Sequence, residues 1–246
     1  MMIWPILLMA LLMQVRIPGP GGTALGSGGP TITYVQGCVN SATAVTVTCA
    51  LGSNITSGNL LVVTSKSQNN SGTGIPTFTS SLGIGCTWVQ AVPTTLIGTG
   101  TPFNASMYTC LVPSTGAETV SVTWAGTTGG PFTDITIAEY STSTSWNSTV
   151  LDQSASSLNS ASTTSCATGT TSATTNPNDL IIAVCENFNS AETWGALAGF
   201  TNRSGSSRNT SGFYDRVVTS TGTQSATIPL STADSSTGMI AAFKSN

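Results

Sequence analysis

The chain of 246 residues contains no histidine, so its acid–base chemistry must come from nine carboxylates and six cations. Histidine is the usual proton carrier near neutral pH and the commonest protein ligand for transition metals. Without it, serine and cysteine triads lose their base, and most zinc and copper sites lose a ligand. The acids are Glu118, Asp134, Glu139, Asp152, Asp179, Glu186, Glu192, Asp215 and Asp234. Glycoside hydrolysis needs two carboxyl groups about 5 Å or about 6.5–9.5 Å apart, and no local spacing singles out such a pair. No DxDxDG loop marks a calcium site. Serines flank Lys66 and adjoin one another at Ser206 and Ser207, as chance predicts in a chain this rich in serine. The sequence therefore assigns no catalytic residue, no metal and no cofactor, and the chain reads as a non-enzyme.

Glu139 is the acid that stands out. In the strand predicted over Asp134–Ser141, alternation puts it on the face of Ile135 and Ile137, toward the core or its rim. A buried carboxylate needs a partner. Lys66 and Lys244, each at the end of a predicted strand, are the candidate partners. The plain expectation is a salt-bridged or hydrogen-bonded acid. The sharper one is an amide between a lysine and an Asn or Asp, with Glu139 shuttling the proton.

Six cysteines, Cys38, Cys49, Cys86, Cys110, Cys166 and Cys185, include no CxxC spacing. An even count in a chain rich in Ser and Thr points to disulfides and an oxidising compartment. Fifteen pairings are open, and the sequential one (38–49, 86–110, 166–185) is the expectation. Trp146 and Trp194 fall between predicted strands. An exposed ring there can stack on a sugar face, which makes both candidate glycan-binding residues, unless the loops fold back and the rings plug the ends of the fold.

The elements that must position these residues are strands. Charged residues are only 6% of the chain, against about 25% in an average soluble domain. Ser, Thr, Asn and Gly take their place, and threonine suits a pleated surface. Few side chains titrate between about pH 5 and pH 8, so composition predicts a fold only weakly sensitive to pH there. About a dozen short apolar or alternating runs recur, separated by Gly, Pro, Asn and Ser clusters. No segment has sustained helical periodicity. The expected fold is all-β: a two-sheet antiparallel β-sandwich, jelly-roll-like and stapled by disulfides. Ser154–Thr175 reads as a long surface hairpin or a domain break.

Residues 1–30 stand apart. Met1–Met13 is an apolar run too short to span a bilayer comfortably. It resembles the hydrophobic region of a secretory signal, with small residues at Ala24-Leu25-Gly26 for cleavage, although no cation precedes it. The alternative keeps it in the mature protein as a strand docking on a neighbour. Pro18–Pro30 is a Gly/Pro linker, and residues 31–246 form a single β-sandwich domain.

Ten short blocks, in order, carry a resemblance. They are Gly58-Asn59-Leu60-Leu61-Val62-Val63, Pro76-Thr77-Phe78-Thr79, Cys86-Thr87-Trp88, Met107-Tyr108 and Ile137-Ala138-Glu139-Tyr140-Ser141. Then follow Leu151-Asp152-Gln153, Asn178-Asp179-Leu180-Ile181-Ile182, Gly199-Phe200-Thr201, Asp215-Arg216-Val217-Val218 and Ala242-Phe243-Lys244. As a set they resemble a broad family of secreted β-sandwich domains of environmental bacteria, found in cell-surface proteins and in some phages. The resemblance covers residues 31–246 and implies a fold and an extracellular setting. That family has no assigned activity and lends no catalytic residue. The cystine pairs and Trp146 depart from its pattern.

The net charge is −3 without a basic stripe, which argues against nucleic acid. Together these features predict a secreted, cell-surface structural or adhesive protein, or a filament subunit. Its partners would be copies of itself, other surface proteins or glycans, and it would have no stable membrane span. The alternative is a carbohydrate-binding β-sandwich module.

Overall fold

The computed structural model describes residues 29–68, 74–81, 85–97, 103–125, 132–188, 192–205 and 211–246. The apolar segment Met1–Met13 and most of the linker lie outside them. Strands form where β-branched and hydroxyl residues run between Gly, Pro and Asn clusters, and the described residues contain no helix.

Two five-stranded antiparallel sheets make a sandwich. The first contains β1 (Ile32–Thr43), β3 (Leu60–Gln68), β5 (Val89–Ile97), β6 (Phe103–Leu111) and β8 (Phe132–Thr142), in the order β1-β8-β3-β6-β5. The second contains β9 (Trp146–Thr170), β10 (Asp179–Asn187), β11 (Thr201–Asn202), β12 (Ser211–Val218) and β13 (Ser225–Ser245), in the order β11-β12-β10-β13-β9. Between them lies a core that includes Leu60, Val62, Met107, Tyr140, Ile182 and Phe213.

Both outer faces are also covered. A three-stranded sheet of β2 (Thr46–Ala50), β7 (Thr119–Trp124) and β4 (Pro76–Ser80) lies on the first sheet. Val47, Val120 and Val122 pack there on Leu61, Val63 and Ile137. The central strands β3, β8 and β10 are therefore buried on both sides, which is why they read as continuous runs instead of alternating.

The outer face of the second sheet is covered by its own longest strands. The stretch Ser154–Thr175 is mostly strand. Through Thr170 it belongs to β9, which pairs with β13 from Trp146↔Ser245 to Thr170↔Ser225 and bends back over the sheet. Asn159 Nδ2 donates to the Ala167 carbonyl at 3.1 Å across that bend. The returning ribbon brings Cys166, Ile228 and Leu230 onto Ile181, Ala183 and Tyr214. Two glycines permit the approach. Gly169 has φ +76°, and a Cβ on Gly238 would stand 2.0 Å from the Ala167 carbonyl oxygen.

Three disulfides tie these layers together, in the sequential pairing. Cys38–Cys49 joins β1 to β2, Cys86–Cys110 joins the loop before β5 to β6, and Cys166–Cys185 pins the folded ribbon to β10. Disulfides of this kind persist in oxidising compartments. Among the described residues no helix is long and apolar enough to cross a membrane.

Candidate functional site

Side-chain parity decides where each charge goes. In β3, Leu60 and Val62 face the inter-sheet core, and Thr64 and Lys66 continue that face. In β8, Ala138 and Tyr140 face it, and so does Asp134. In β10, Leu180, Ile182 and Val184 face it, followed by Glu186. Lys66, Asp134 and Glu186 thus meet at one end of the sandwich interior, at 0%, 3% and 0% exposure.

Lys66 and Asp134 are direct cross-strand partners. Lys66 Nζ stands 3.4 Å from Asp134 Oδ2 and donates to the Asn187 carbonyl of the facing sheet at 2.5 Å. The Lys66 backbone N–H donates to Asp134 Oδ1 at 3.1 Å. The rings of Phe103 and Phe132 lie 5.9 Å and 5.8 Å from Nζ. Glu186 Oε2 accepts from the Ser211 hydroxyl, and Oε1 accepts no hydrogen bond. Burial drives the Glu186 carboxyl well above the usual carboxylate range, and the charge of Asp134 adds to this. Lys66, Ser211 and Thr64 pull in the other direction.

Glu139 lies on the opposite face of the same sheet, fully buried. Its register partner is Leu61, and no lysine reaches it. Oε1 accepts from the Thr56 backbone N–H at 2.9 Å and from Asn59 Nδ2 at 2.6 Å, and Oε2 accepts from Gln36 Nε2 at 2.7 Å. Glu139 is therefore the hydrogen-bonded acid of the plain expectation, held by three neutral donors, and neither candidate lysine is its partner. Lys66 is five residues from Leu61 along β3, so it points to the other side of the sheet. Lys244 pairs elsewhere, 3.7 Å from Asp152.

That second lysine belongs to a carboxylate pair. Burial, and then the adjacent Asp152 charge and hydrogen bond, raise Asp179 to about 7. Burial also works to raise Asp152. Hydrogen bonds from Thr175 and Asn176 and the Lys244 charge outweigh it and leave Asp152 below its ordinary value. A third cluster joins the two sheets near β12. Asp215 Oδ2 accepts from Arg203 Nε and from the Tyr140 hydroxyl, both at 2.9 Å, and the Arg203 guanidinium stacks 4.0 Å from the Tyr34 ring centre.

The two tryptophans differ in exposure. Trp146 opens β9 and is 5% exposed in the inter-sheet core. Trp194 is half-buried against the second sheet, where it fills the space above Gly212. A groove of about 520 Å³ runs past Val89, Leu111, Pro113 and Val150, and no titratable side chain lines it. Among the described residues no group of three or more His, Cys, Asp or Glu side chains is placed to hold a metal ion.

The sequence reading missed Asp134, Glu186 and Asp179 as buried groups of interest. A signal existed for Glu186 and Lys66, since each continues an every-second-residue apolar face. Their meeting was invisible, because it depends on which distant strands become neighbours.

No protein-family model matches the chain, and no curated protein matches it in sequence. The geometry and chemistry of its own residues must therefore carry the functional reading.

Proposed function

We propose that the chain is a non-enzymatic extracellular structural or adhesive protein, a cell-surface module or a subunit of a filament. One observation carries this reading: among the described residues, most of the charge is inside. Seven of the nine carboxylates (Glu118, Asp134, Glu139, Asp179, Glu186, Glu192 and Asp215) are buried. Of the four described cations, Lys66 is buried, Arg203 and Lys244 are in ion pairs, and the half-buried Arg216 donates to Gln224 Oε1 at 2.7 Å and stacks on the Phe200 ring. Among the described residues, the exposed positions are rich in Ser, Thr and Asn. Copies of such a shell repel one another little, which favours close contact in an assembly. Three disulfides and two-sided burial of the central strands suit a part that must stay rigid outside the cell. The resemblance to secreted cell-surface domains points the same way.

The glycan-binding alternative rests on Trp146, which is buried, and Trp194, which is half-buried. For assembly, β1 and β5 end the first sheet and offer edges to which an apolar strand of another copy can add. Residues 1–30 are the candidate strand. Electron microscopy of the full chain and of a chain lacking residues 1–30 tests this. Ordered assemblies of the full chain that vanish on deletion support the reading, and dispersed monomers in both cases contradict it.

A further inference from the structure

We infer that Lys66 and Asp134 are joined by an internal side-chain amide, with Glu186 as the proton relay that forms it. The inference does not depend on the assembly reading, because it concerns the inside of one domain.

The first ground is positional. Register places the two residues opposite each other on β3 and β8, with Nζ 3.4 Å from Oδ2. A nucleophile held this close inside a packed core reacts as if at very high concentration. The Asn187 carbonyl holds Nζ from the other side, and the rings of Phe103 and Phe132 flank it. The Lys66 backbone N–H already donates to Asp134 Oδ1, where negative charge develops when the carboxyl carbon is attacked.

The second ground is the third ionisable group. A lysine and one aspartate would suffice for a buried ion pair. Adding Glu186 puts two acids against one cation with almost no solvent, an arrangement that is costly if all three ionise. Glu186 has one oxygen held by Ser211 and the other without a hydrogen-bond partner. Burial favours its protonated form, as a proton relay needs. Amide formation converts the lysine and the aspartate into a neutral group and removes two charges from the core.

The step balances without an external reagent. One proton passes from the Nζ ammonium to the Asp134 carboxylate through Glu186, leaving an amine and a carboxylic acid. Nζ attacks Cγ and forms the N–C bond. Glu186 takes a proton from the nitrogen and returns it to the departing hydroxyl. The C–O bond breaks and one water leaves. Nothing is oxidised or reduced, and Glu186 ends as it began.

Mass spectrometry of the full folded chain tests this. After reduction of the disulfides, the wild type is expected to be lighter than its sequence by one water. Trypsin cannot cleave at an acylated Lys66, so the segments on either side of it stay joined as far as Arg203. The substitutions Lys66→Arg and Asp134→Ala should each abolish the loss of water, and Lys66→Arg retains the cation. Glu186→Gln should leave the chain folded, with its disulfides closed, and without the loss. A reduced wild-type chain of full sequence mass that is cut at Lys66 overturns the inference. So does loss of ammonia instead of water, which would move the bond to an asparagine. Loss of water in Glu186→Gln overturns the relay.

Discussion

Asp179 and Asp152 form a buried carboxyl pair in which only one member is readily ionised. Asp179 is raised to about 7 by burial and by the neighbouring Asp152 charge, while Asp152 is held below its ordinary value by Thr175, Asn176 and Lys244. Composition alone predicts a fold only weakly sensitive to pH between about pH 5 and pH 8, and this pair predicts a larger dependence. In the unfolded chain Asp179 titrates at its ordinary 3.8. A group whose folded pKa is raised stabilises the fold fully below its unfolded pKa. That contribution is lost as pH rises through the folded value. Glu186 acts in the same direction, and Asp152 acts in the opposite one only in more acid solution. The thermal midpoint should therefore be lower at pH 8 than at pH 5, by at least about 3 °C for a domain of this size. Asp179→Asn should narrow the gap. Equal midpoints in the wild type would refute the raised pKa.

Glu139 is satisfied by three donors and no cation. Glu139→Ala orphans Gln36 Nε2, Asn59 Nδ2 and the Thr56 N–H, and should cost about 3 kcal/mol or more. Glu139→Gln keeps one acceptor oxygen and turns an amide toward a donor, and should cost about 1–3 kcal/mol. Urea unfolding measures both. A neutral result for Glu139→Ala would mean that these hydrogen bonds do not hold the loop at residues 53–59.

The folded ribbon depends on a staple and a close approach. Cys166 and Cys185 are 19 residues apart, a loop whose closure contributes about 3 kcal/mol in the chain-entropy model. Replacing both with serine should lower the thermal midpoint by about 6–12 °C. It should also open the segment around residues 160–170 to proteolysis before the rest of the fold. Gly238→Ala places a methyl against the Ala167 carbonyl and should destabilise the fold by about 1–3 kcal/mol. An alanine variant as stable as the wild type would show that the ribbon does not lie on Gly238.

Much of the β architecture was legible because strands such as Thr119–Trp124 alternate and turns carry Gly and Pro. Both outer coverings escaped the reading. The run Leu60–Val63 looks the same whether one or two sheets flank it, and periodicity cannot count layers. The bend in β9 has a faint local signal in Gly169, but its cause is Gly238, distant in sequence. Alternation puts Glu139 on the face of Ile135 and Ile137, opposite the inter-sheet core. Its partners were not legible, because they come from β1 and from the loop before β3. Lys66 and Asp134 are 68 residues apart and meet only through the β3–β8 register.

The central claim is that charge is buried and a neutral hydroxyl shell is left for contact between copies. Sedimentation velocity of the full chain over a range of concentrations, at low and at high salt, tests it most directly. Association through an uncharged surface is little affected by ionic screening. The account predicts assemblies that grow with concentration and persist equally in both salts. A monomer at every concentration, or assemblies that dissolve as salt is added, would contradict it.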